Sequence, residues 1–77
     1  MIKNYTLLNY YVRYKKLTYK EFGKIVGVEW RTLYGIITGR QKAGKKASRL
    51  IDAWYEKNES EVLRVVDEGI KNEQNMV

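Results

Sequence analysis

The apolar positions of this chain fall at helical spacings, and they predict five helices. Over about residues 4–16, Leu7, Leu8, Tyr11 and Val12 form an inward face, with Lys15 and Lys16 placed where a helix C-terminus favours cations. Thr18-Tyr19-Lys20-Glu21 has the T-x-x-E form of a capping box and starts a second helix that runs to about Val26. A third spans about Glu29 to Thr38 and stops at Gly39, a good residue just past a helix end. Residues 39–46, GRQKAGKK, read as a basic loop. A fourth helix, about 45–57, buries Ala47, Leu50, Ile51 and Trp54; Asn58 or Ser60 then caps a fifth with Val62, Leu63, Val66 and Ile70 as its stripe. There is no proline, no internal repeat is visible, and the final NEQNMV is expected to fray.

Residues Tyr19 to Arg40 are the most informative stretch. Phe22 and Val26 are i, i+4 partners on one helical face, and Leu33 and Ile36 are i, i+3 partners on another. Gly27 is free to take the positive φ that ends one helix and turns sharply into the next, while Gly23 lets the second helix cross close by. These are the spacings a helix-turn-helix requires. Phe22, Gly23, Val26, Gly27, Val28, Leu33 and Ile36, with Thr18 and Glu21 as the cap, resemble the Cro and lambda-repressor type of DNA-binding domain. The resemblance covers roughly residues 5–70. It implies a compact all-α fold of five helices in a single domain, residues 1–77, with the helix-turn-helix at 18–39.

Charge changes the picture along the chain. The net charge is +6, but residues 1–51 carry twelve Lys and Arg against two acidic residues, whereas 52–77 carry three against seven. A basic body with an acidic end suits a surface made for a polyanion and another that stays away from it. With no cysteine and no histidine there are no disulfides, no usual zinc site and no Cys–His or Ser–His catalysis. No cofactor or metal is expected, and no enzymatic activity, since the acidic groups are scattered over surface helices. No apolar run is long enough to span a membrane, and the first residues are too polar for a signal peptide, so a soluble, cytoplasmic protein is expected.

In the resembled family the third helix lies in the major groove as the recognition helix. Its solvent-side stripe here is Arg31, Tyr34, Gly35 and Thr38, with Trp30 at the border. Arg31 is the foremost candidate for base readout, because a guanidinium pairs bidentately with guanine O6 and N7. Tyr34 is suited to a phosphate or a thymine methyl. Gly35 weakens a helix, which close approach to DNA or simple tolerance would explain. Trp30 is both a base-readout candidate and a packing partner of Leu33 and Ile37. Ile37 stands where the family often has a polar residue, so an apolar Trp30–Ile37 patch against a partner or the first helix is a competing expectation.

Phosphate contacts are expected from Thr18 and Tyr19 at the head of the second helix and from Arg40, Lys42, Lys45, Lys46 and Arg49, which match the phosphate clamp of related domains. The tyrosines of the first helix, Tyr5, Tyr10, Tyr11 and Tyr14, suit stacking on single-stranded bases, but a small core using tyrosine in place of aliphatic residues is the favoured reading.

The function expected from the resemblance is sequence-specific binding of double-stranded DNA by a small repressor of phage or mobile-element type. It would act by occupying a promoter, associated with the nucleoid and without a small-molecule effector. A homodimer on an inverted-repeat operator is expected, joined through a dimerisation helix at 59–71 by Val62, Val65 and Val66. Two other readings stay open: a module that inhibits a host protein, and an antitoxin that binds both operator and toxin.

Overall fold

The computed structural model describes residues 5–75, and every regular element among them is an α-helix. α1 spans Thr6–Tyr14, α2 Tyr19–Val26, α3 Trp30–Ile37 and α4 Lys45–Asn75. Four helices therefore stand where five were expected, because the fourth and fifth are one helix of 31 residues. Asn58, expected to cap a new helix, is half-buried, and its side-chain amide donates to the Trp54 carbonyl at 2.8 Å. The inward stripe of Ile51, Tyr55, Val62, Val65 and Val66 keeps one phase across it. From Lys45 to Glu68 there is no glycine or proline, so nothing interrupts the backbone ladder. A capping residue permits a helix to start without obliging the preceding helix to stop.

The shorter helices end on local chemistry. At the head of α2 the Glu21 amide donates to the Thr18 hydroxyl, and the Thr18 amide donates to the Glu21 carboxylate, each at 3.1 Å. Gly27 closes α2 with a φ of +89°. α3 ends with Gly39 at φ +81°, its amide donating to the Ile36 carbonyl while Arg40 donates to that of Gly35. α1 ends in the same hydrogen-bonding pattern, with Lys16 at φ +58° in the position usually given to glycine. Residues 72–75 continue the helix, against the expected fraying; Met76 and Val77, like the expected start at Asn4, lie outside the described residues.

α1 packs chiefly on α4, and α2 on α3. Phe22, Leu8, Leu33, Ile51 and Val62 are wholly enclosed at the centre. The Phe22 ring stands edge-on to Trp54 with centroids 5.0 Å apart, and Tyr11 packs on both. α1 lies along the second half of α4, where the Tyr11 hydroxyl and the Lys15 ammonium donate to Glu61, at 3.1 and 3.3 Å. Tyr14 seats its ring on Gly69, where a Cβ would collide with it. This packing corrects the expected dimer surface: Val62, Val65 and Val66 are buried in the core of the chain itself. The apolar residues left outside on that half of α4 are Leu63 and Ile70, 46% and 40% exposed. No helix among the described residues is long and apolar enough to cross a membrane.

Candidate functional site

α3 points Leu33, Ile36 and Ile37 into the core, and this leaves Arg31, Tyr34 and Thr38 exposed on its outer side. Two of the expectations for this helix change here. Gly35 is buried beneath the Gln41 side chain, so close that a Cβ would sit 2.5 Å from Gln41 Oε1. Those atoms belong to an exposed, flexible side chain that can swing aside, so the contact does not require a glycine, but with Gln41 in place Gly35 is covered. Ile37 is likewise buried, so it offers no exposed patch with Trp30 to a partner.

Trp30 opens α3 and is half-buried. Its backbone is pressed against Gly23 of α2, which has no side chain in the way. Two cations lie over its ring: Arg31 Cζ is 5.4 Å and Lys20 Nζ 5.9 Å from the centroid. A second aromatic–cation set sits at the far end of α3. The turn at Gly39 carries Arg40 back over Tyr34, at 5.6 Å, and the Tyr19 and Tyr34 rings meet edge-on at 5.0 Å. The Tyr19 hydroxyl donates to Asn9 Oδ1 at 2.9 Å, which braces α2 from α1. Burial, and then the neighbouring Tyr34, push that hydroxyl above its ordinary pKa, so it remains a donor. The Thr38 hydroxyl donates to the Tyr34 carbonyl at 2.7 Å.

Helix heads on this side are already occupied by carboxylates. The Thr18 hydroxyl and amide serve the capping box, and the Thr18 amide holds the Glu21 carboxyl below the usual carboxylate range. At the head of α3, Glu29 Oε2 accepts from the Arg31 and Thr32 amides at 3.0 and 3.1 Å. An external anion at either head would meet a fixed negative charge, so the binding capacity of this face lies in its side-chain cations.

Arg40, Lys42, Lys45, Lys46 and Arg49 are all exposed, but those on α4 do not all border the same concavity. Lys45 and Arg49 line a shallow concavity with Ser48, Asp52 and Glu56 on one side of α4, whereas Lys46 borders the groove between α4 and the head of α3. The four ion pairs of the described residues use the cations Arg13, Lys15, Arg64 and Lys71, which lie on α1, at its C-terminal cap or on the second half of α4. None includes a cation of α2, α3 or the following loop. Cations outnumber carboxylates on that side, where Glu21, Glu29 and Asp52 are the acidic neighbours, and an excess of positive charge is attractive to polyanions. No group of three or more potential metal-ligating side chains comes together among the described residues.

Reading along the chain left the facing of Lys20 open and missed Asn9, Glu29 and Gln41 as parts of this face. Only Glu29 carried a local signal, as a carboxylate just before a helix; the others act across elements. Comparison with known proteins gave no matching family model, no matching curated protein and no matching solved structure.

Proposed function

We propose that the protein binds duplex DNA through α3, as a small regulator of the Cro and lambda-repressor type that represses by occupying a promoter. α2, the turn at 27–29 and α3 then serve as the helix-turn-helix, and the role is binding without catalysis. The observation that carries this reading is the outer face of α3. Arg31, Tyr34 and Thr38 project from a short helix, with Lys20 at one end of the face and Arg40 at the other, and neither Arg31 nor Arg40 is taken up by an ion pair of the described residues.

A helix fits the major groove, where Arg31 at its head reaches base edges. The flanking cations neutralise phosphates and release counterions, which supplies affinity without sequence information. One such helix covers few base pairs, so the working unit in this reading is a two-fold dimer on an inverted repeat. With the valines of α4 committed to the core, Leu63 and Ile70 are the apolar residues that remain for its joint.

The test is selection of bound duplexes from a random DNA pool. Recovery of one motif, as two half-sites about one helical turn apart, is the expected result. Recovery of sequences no different from the input would overturn sequence-specific binding.

A further inference from the structure

We propose that Trp30 presents Arg31 to a guanine, and so sets base preference without itself reading a base. This rests on the duplex-DNA reading above. The Arg31 guanidinium lies over the indole, 5.4 Å from its centroid, and the side chain is exposed and takes part in no ion pair of the described residues. A guanidinium held over an aromatic ring by cation–π attraction still has N–H groups to offer, and its planar fork matches the O6 and N7 acceptors of guanine. The carboxylate nearest in sequence, Glu29, is engaged by the Arg31 and Thr32 amides, so it holds the backbone of Arg31 rather than its charge.

The platform is itself fixed. Trp30 is the first residue of α3, and its backbone abuts Gly23, where even a methyl group would be tight against the Trp30 nitrogen and Cα. Lys20 of α2 approaches the same ring at 5.9 Å. Two cations near one indole repel each other, and an electronegative acceptor arriving beside Arg31 offsets part of that repulsion. The stack also restricts a long side chain before binding, so less freedom is lost when the base is engaged. The geometry points to guanine as the base opposite Arg31, with Trp30 as a positioning residue.

The experiment uses the full chain, the duplex recovered from a random pool, and versions of it with each guanine replaced in turn. Wild-type protein is expected to discriminate most strongly at one guanine. Trp30→Leu should lose roughly two- to fivefold of that discrimination at that position alone, while Trp30→Phe, which keeps an aromatic face, retains most of it. Affinity for an unrelated duplex and the salt dependence should stay as in wild type. Unchanged preference in Trp30→Leu, or an equal loss on every duplex, overturns the proposal.

A second measurement needs no DNA. In Trp54→Phe the sole indole is Trp30, and Arg31→Ala in that background should raise its quenching by acrylamide. No change would show that the guanidinium does not cover the ring. If wild-type protein recovers no preferred duplex, the DNA reading fails and the base-selection role with it. If it recovers one and Trp30→Leu keeps the preference, only the role of Trp30 fails.

Discussion

A methyl group placed on Gly23 would lie 2.7 Å from the carbonyl oxygen of Val28 and 3.3 Å from the backbone of Trp30. Alanine in a helix interior is ordinarily favoured over glycine by about 1 kcal/mol. Here the obstruction is backbone, which cannot swing aside, and α3 must shift to make room. Gly23→Ala is expected to destabilise the protein by about 1–3 kcal/mol, the range typical of overpacking. Urea unfolding measures this directly; a more stable variant would mean that α2 and α3 are not held at this spacing.

Glu61 links α1 to α4 and makes stability depend on pH in both directions. The Lys15 ammonium, then the Tyr11 hydroxyl, hold the Glu61 carboxyl below the usual carboxylate range. A carboxyl lowered on folding stabilises above its unfolded value and loses that contribution as pH falls through the folded one. Tyr11 behaves oppositely: burial, then Glu61, push it up to about 12 from 10.0. Its contribution is complete below pH 10 and is lost as pH rises from 10 towards 12. Thermal melts should therefore decline at both ends of the scale, and Glu61→Gln should flatten the acid limb and shorten the alkaline one. Superimposable profiles for the two proteins would exclude Glu61 as the link.

Lys42, Lys45 and Lys46 are exposed and belong to no ion pair of the described residues, so their expected contribution to DNA binding is electrostatic. Neutralising all three should weaken binding to all duplexes alike and flatten the plot of log affinity against log salt by roughly 0.9 for each phosphate left unneutralised. Because Lys46 faces a different groove from Lys45, single substitutions should differ in effect. An unaltered slope in the triple variant would leave these lysines as solvated surface. Arg31→Ala, by contrast, should cost about 1–3 kcal/mol on the preferred duplex and relax selection at one base pair.

Val62 and Leu63 are neighbours with opposite surroundings, one wholly buried and the other 46% exposed. Val62→Ala should lower stability by about 2 kcal/mol through reduced burial and the cavity left behind, without changing association. Leu63→Lys combined with Ile70→Lys should leave folding nearly intact and abolish the proposed dimer. Sedimentation of each variant separates the two effects. A double-lysine variant that still sediments as a dimer would place the joint elsewhere.

Much of the α2–α3 region was legible in the chain because its determinants act within four residues. The Thr18–Glu21 box, the positive φ of Gly27 and Gly39, and the pairing of Phe22 with Val26 are local hydrogen-bonding and spacing rules. The same rules misjudged the region after Lys45. Asn58 and Ser60 carry the chemistry of a cap, but whether a helix restarts there depends on whether α1 lies alongside to bury one continuous stripe. That same packing encloses Val62, Val65 and Val66, so their availability to a partner was never a property of their spacing. Lys16 takes a left-handed conformation that its residue type did not announce, with the Leu17 amide closing the turn onto the Val12 carbonyl. The division is sharpest on the outer face of α3. The chain supplied Arg31, Tyr34 and Arg40 as candidates; only the crossing of α2 over α3 put Lys20 over the Trp30 ring and Tyr19 against Tyr34, and only the turn at Gly39 carried Arg40 back over Tyr34. Hydrogen bonds near in sequence determine where helices begin and end, whereas burial and charge pairing depend on groups brought together from distant parts of the chain.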